Sequence, residues 1–189
     1  MKTLHGWRSV AALLGLLALA SCSGSDSEGS GGTGAPLPAA SKNAALRLAA
    51  EPAGAVRILE ARKLEPGAGE VVVYGRVLSI VPGYAVFSLI DQELDYCGSG
   101  SDPMDSCPTP WDYCCIPGEK KAEHTLLVEA RDAQGTPLAD ALTDLRLLDL
   151  VVAKGKLERD ENGNTTIVAS GWFKKERPKL PEGLEWPAR

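Results

Sequence analysis

Five stretches between residues 70 and 175 read as strands, by alternation of apolar and polar residues or by runs of β-branched ones. EVVVYGRVLSI at 70–80 is the first. The turn Val81-Pro82-Gly83 leads into the second, YAVFSLID at 84–91, and so short a connection makes the two a hairpin. HTLLVEARD at 124–132 puts His124, Leu126, Val128 and Ala130 on one face and mostly polar residues on the other, as a one-sided strand does. DLVVAKGKLERD at 149–160 and TTIVASGWFKK at 165–175 complete the set. Between them stands Glu161-Asn162-Gly163-Asn164, and Asn-Gly is a strong hairpin signal. The pattern turns helical in two places. At 55–70, Val56, Leu59 and Leu64 suit a short helix ended by Pro66-Gly67, with an extended lead-in at Val56 and Ile58 as the alternative. At 138–148, LADALTDLRLL spaces Leu138, Leu142 and Leu145 for about two helical turns.

The first, fourth and fifth strands echo one another as VVVYGRV (71–77), VVAKGKL (151–157) and IVASGWF (167–173). In each, a glycine sits on the face of the alternate small apolar residues. Glycine inside a strand permits sharp coiling and close approach, which a small barrel requires. Three strands, a helix and two more strands, with glycines so placed, resemble the OB-fold, a five-stranded partly open Greek-key barrel. The resemblance covers 66–176. It implies a mainly β protein with one short helix between the third and fourth strands and a cysteine-rich insertion between the second and third. OB-folds that grip nucleic acids or saccharides use the face of strands two and three with the loops after strands one and four. Here those loops are short, and the extra length lies in the insertion.

The N-terminus changes the picture of where this barrel works. MKTLHGWRSVAALLGLLALASC opens with Lys2 and Arg8, and Val10 to Ala20 is wholly Ala, Leu, Val and Gly. That is a secretory leader, too short to span a bilayer comfortably. Leu19-Ala20-Ser21-Cys22 resembles the bacterial lipobox, which implies cleavage before Cys22 and acylation of that residue. Several acyl chains, at roughly 0.8 kcal/mol per buried methylene, make a firm anchor. Ser23 after the cysteine, where aspartate would signal inner-membrane retention, points to an outer membrane in a cell that has one. The expected organisation is a signal peptide at 1–21 and a Gly/Ser/Ala-rich flexible tether at 22–54. A barrel domain at 55–176 follows, with its insertion at 92–120, and then a tail at 177–189. In that tail Trp186 either docks on the barrel or hangs free.

Loss of Lys2 and Arg8 with the leader leaves 18 basic residues against 25 acidic, a net charge of −7. That charge and the scarcity of aromatics argue against nucleic-acid binding, which needs a basic groove with stacking rings. FKKERPK at 173–179 is the one basic run and reads as a solvated strand end. His124 is the only histidine left after cleavage, and none of the common catalytic motifs occurs. No enzymatic activity is expected.

The insertion carries the chemistry. CPTPWDYCC at 107–115, with Cys97 upstream, places four cysteines in an exported domain. An even number in an oxidising compartment reads as disulfides. A bond between the neighbours Cys114 and Cys115 would be strained, so two pairings stay open: Cys97–Cys114 with Cys107–Cys115, or Cys97–Cys115 with Cys107–Cys114. Each bridge would contribute about 2–3 kcal/mol. Metal binding by the same four is the alternative, with Asp91, Asp95, Asp102, Asp105 and Asp112 as further oxygen donors. The spacing C-x9-C-x6-C-C, however, lacks the usual C-x2-C of zinc sites. A redox role would want C-x-x-C, which is also missing. Trp111, Asp112 and Tyr113 form either a recognition surface for a sugar, peptide or protein, or a mini-core with Trp111 over the disulfides and Tyr113 closing the loop. The shortage of aliphatic residues nearby favours the mini-core. The nonapeptide and the lipobox together resemble a family of exported bacterial lipoproteins carrying the same CPTPWDYCC. That likeness supports the fold and brings no chemistry with it. The expected protein is thus a lipid-anchored envelope module without a cofactor. It binds or scaffolds an envelope protein or saccharide, and it is held to the membrane by its N-terminal lipid.

Overall fold

A computed structural model describes residues 41–67, 69–100, 107, 112–180, 182–183 and 185–186. The leader, Cys22, most of the tether and Trp111 lie outside the described residues. All five expected strands form: β2 Glu70–Ile80, β3 Val86–Ile90, β4 Thr125–Glu129, β5 Leu150–Arg159 and β6 Thr165–Lys174, preceded by a two-residue strand β1 Val56–Arg57. β2 pairs antiparallel with β3, and β3 with β4. β4 runs parallel to β6, β6 antiparallel to β5, and β5 returns antiparallel to β2, so the sheet closes on itself. This is the OB-like barrel that the strand order implies.

Alternation decides what the barrel encloses. Val71, Val73 and Val77 of β2 point inward with Leu126 and Val128 of β4 and Ile167 of β6, while their neighbours along each strand face out. Phe87 meets Trp172 edge to face, with ring centroids 5.7 Å apart, at the centre of this core. β3 differs because all five of its residues are buried. At its end, Ile90 packs into a second, smaller core with Leu94, Tyr113 and Leu148.

The strand glycines act through close approach. A Cβ on Gly155 would run into the carbonyl oxygen of Val168 and lie 2.8 Å from the Ala169 Cα, at a register shift in the β5–β6 ladder. A Cβ on Gly171 would lie 2.7 Å from the Leu48 side chain.

Leu48 belongs to a segment expected to be flexible tether, and here the structure corrects the sequence reading. Residues 41–54 pack on the barrel, beginning with a 3-10 helix at Lys42–Leu46. The Leu48 N–H donates to Trp172 O at 2.8 Å. Asn43 is fully buried, and its side-chain amide donates to the carbonyls of Asp140 and Ala141. The Asp140 carboxylate in turn accepts the Asn43 N–H at 2.6 Å and the Ser41 hydroxyl at 2.9 Å. Arg47 pairs with Asp144 at 3.0 Å.

These bonds engage the stretch whose leucine spacing suggested a helix. Residues 138–148 are irregular; of the three leucines spaced for a helix, Leu142 and Leu145 are buried and Leu138 is half-buried. The short helix of this part of the barrel stands one connection earlier than expected, between β3 and β4, the second and third of the five expected strands: α2, Gly118–Glu123, at the end of the cysteine insertion. The alternatives at 55–64 are both realised, since the extended β1 runs straight into a single helical turn, α1 Ile58–Ala61. Among the described residues no helix is long and apolar enough to cross a membrane.

Candidate functional site: four converging sulfurs

The insertion leaves the barrel at Asp91, whose N–H donates to His124 O at 2.9 Å and so ties together the two ends of the excursion. Asp91 also accepts the Glu93 N–H on its side chain and the Leu94 N–H on its carbonyl, a local turn of the kind aspartate favours. Leu94 then drops into the small core. Three residues on, the Cys97 N–H donates to Asp112 O at 2.8 Å, which staples the outgoing arm to the returning one. Tyr113 follows, fully buried beside Ile90, Leu94 and Leu148. Its carbonyl accepts the Ile116 N–H at 3.1 Å and the Lys121 ammonium at 3.2 Å. The first of these bonds closes a four-residue turn, with Cys114 and Cys115 at its two central positions.

That turn brings the sulfurs together. Cys114 Sγ lies 3.1 Å from Cys97 Sγ, 3.3 Å from Cys107 Sγ and 3.8 Å from Cys115 Sγ, and Cys107 and Cys115 are 3.9 Å apart. All four lie within 4.8 Å of one another. Cys97 is buried, Cys107 half-buried, and Cys114 and Cys115 are exposed, so the group is anchored from within and reached from one side.

No two of these sulfurs are at the bonded distance of about 2.05 Å, so neither of the pairings expected among Cys97, Cys107, Cys114 and Cys115 is formed. The physical reason is the shared centre: Cys114 touches Cys97 and Cys107 alike, and no pair is singled out. A metal–thiolate bond of about 2.3 Å places the corners of a tetrahedron about 3.8 Å apart. The observed separations straddle that value. They suit one ion and leave no room for a cluster of several metals, which would hold its thiolates farther apart.

Other candidates fall elsewhere. Among the described residues no carboxylate or imidazole joins the four sulfurs, so Asp91, Asp95 and Asp112 are not part of the group, while Asp102 and Asp105 lie outside the described residues. Tyr113 is inside the small core and presents no surface, which corrects its place in the proposed recognition patch and fits the mini-core alternative. Burial pushes its phenol well above the usual range. Asp112 remains exposed, with its carboxylate accepting the Tyr113 N–H at 2.6 Å. His124 is buried at the C-terminal end of α2.

The tail supplies a residue whose place the sequence left open. Trp186 packs against the small core, and Arg177 lies 4.3 Å over its ring while pairing with the buried Asp149 at 3.1 Å. A separate groove of about 620 Å³ lies on the β3–β4 side of the barrel against the β5–β6 turn. Its lining includes Ser88, Thr125, Asn162, Asn164 and Thr165 and contains no aromatic ring. No protein-family model matches this chain, and no curated protein matches it.

Proposed function

We propose that this protein is a lipid-anchored envelope protein whose OB-like barrel carries a mononuclear site for a soft metal ion of the zinc class, held by Cys97, Cys107, Cys114 and Cys115. One observation carries the reading: four sulfurs lie within 4.8 Å of one another with no bond between any two. Thiolates are soft ligands, and four of them in this compass suit a d10 ion such as zinc(II). With four protein ligands there is no open position for water, so the centre holds a metal and does not activate a nucleophile. The backbone bond from Cys97 to Asp112 O and the turn closed at Tyr113 preset two arms of the tetrahedron. The lipobox-like Leu19–Cys22 supports anchoring at the membrane. The groove beside the β5–β6 turn, where Ser88, Thr125, Asn162 and Asn164 stand with the charged Arg62, Glu123 and Asp160 and with aliphatic residues, is the place offered to a polar envelope partner such as a saccharide.

The full chain, purified under reducing conditions, is expected to carry one zinc per molecule by elemental analysis. Cobalt(II) in its place should give intense thiolate-to-metal absorption. Cys97→Ser is expected to weaken zinc binding by at least about tenfold, judged against the cost of losing even a supporting contact. Loading should fall as pH is lowered, because each ligand must give up its proton. A reduced chain with four alkylatable thiols and no metal uptake overturns the reading. The anchor is tested separately: Cys22→Ser should move the protein from the detergent phase to the aqueous phase on phase partition.

A further inference from the structure

The four sulfurs that could hold an ion can also close in pairs, and their distances and exposure differ enough to set an order. We infer that the centre is redox-gated: a disulfide-bearing oxidant of the envelope joins Cys97 to Cys114, then Cys107 to Cys115, and the ion is released. This rests on the metal reading above.

Cys114 is exposed and Cys97 is buried, so a bulky disulfide reaches Cys114 and not Cys97. The nearest sulfur to Cys114 is that of Cys97, at 3.1 Å, with Cys107 at 3.3 Å and Cys115 at 3.8 Å. Cys97 is also the partner held in place, because its N–H is bonded to the carbonyl of Asp112, two residues before Cys114. Closing that gap to a bond of about 2.05 Å moves the sulfurs by about 1 Å, within reach of side-chain rotation. Cys107 and Cys115 then remain, 3.9 Å apart.

The chemistry is thiol–disulfide exchange. The Cys114 thiolate attacks the oxidant's disulfide, forming a mixed disulfide and expelling one oxidant thiolate. The Cys97 thiolate attacks the Cys114 sulfur and expels the second. Two electrons pass to the oxidant, which departs as two thiolates that take protons from solvent. The new disulfide withdraws two of the four ligands from the ion. A second equivalent of oxidant repeats the exchange at Cys107 and Cys115 and withdraws the rest. Export supplies the setting, since secreted compartments favour disulfides over thiols.

The test uses the full chain, reduced, loaded with zinc and treated with oxidised glutathione. Zinc is followed with a chromogenic chelator and the cysteines by alkylation and fragment mass spectrometry. After one equivalent, Cys97 and Cys114 should be joined while Cys107 and Cys115 remain alkylatable; excess oxidant should release one zinc per chain, and dithiothreitol should restore uptake. A chain with Cys107→Ser and Cys115→Ser should still close Cys97 to Cys114. A first disulfide that contains Cys107 overturns the order. A loaded chain that keeps its zinc and four thiols in excess oxidant, while the metal-free chain oxidises, overturns the gating and leaves the metal reading standing. A reduced chain that takes up no zinc overturns both.

Discussion

At Gly155 the space for a side chain is already taken by backbone. Val168 O and Ala169 Cα lie where a Cβ would go, and neither can rotate away. Gly155→Ala is therefore expected to cost about 2–3 kcal/mol, the upper part of the range for overpacking, read as a lower urea midpoint. At Gly171 the obstacle is chiefly the side chain of Leu48. It can swing, so Gly171→Ala should cost about 1 kcal/mol. The echo of glycines along three strands was legible in the sequence, but the atom each glycine makes room for was not. The cysteines show a similar divide. The missing C-x2-C argued against a metal site, yet the adjacent Cys114 and Cys115 straddle a tight turn and reach the others through the pairing of Cys97 with Asp112. A spacing rule is local, and this convergence comes from two arms of a loop meeting.

Among the elements, the N-terminal belt at 41–57 and the irregular stretch at 138–148 are mutually dependent. Asn43→Ala would leave the Asp140 and Ala141 carbonyls without a buried partner and should cost about 1–3 kcal/mol in chemical denaturation. The Asn43 N–H, with the Ser41 hydroxyl, holds the Asp140 carboxyl below the usual carboxylate range. A carboxyl lowered in the folded state contributes stability in full above its unfolded value of about 3.9 and loses it as pH falls through the lower folded value. Acid should thus loosen the belt below about pH 4, and Asp140→Asn should flatten that limb of the stability–pH curve. Helical spacing at Leu138, Leu142 and Leu145 misled because a buried irregular segment can place its leucines at the same intervals. Its backbone partners lie nearly a hundred residues away, at Asn43, where no local pattern can register them.

For the molecule as a whole, two cores imply two responses. The barrel core contains none of the four cysteines, whereas Tyr113, next to Cys114, sits in the small core with Trp186 docked on it. Removing metal should loosen the insertion and the tail while the barrel keeps its strands. Tryptophan fluorescence should then change on chelation with little change in the far-ultraviolet β signal. Zinc at about a hundred times its dissociation constant should stabilise the site-bearing unit by about 2.7 kcal/mol, seen as a concentration-dependent rise in melting temperature.

The strands, their order and the glycines of the barrel were set by period-two burial and steric need along each strand, and both are written locally. The lipobox-like stretch Leu19–Cys22, the net charge and the four cysteines of the insertion belong to the sequence in the same way. Tertiary structure alone decided that residues 41–54 wrap the barrel, that Tyr113 turns inward, and that four sulfurs share one centre. Each of these depends on groups far apart in the chain competing for the same space and the same hydrogen bonds.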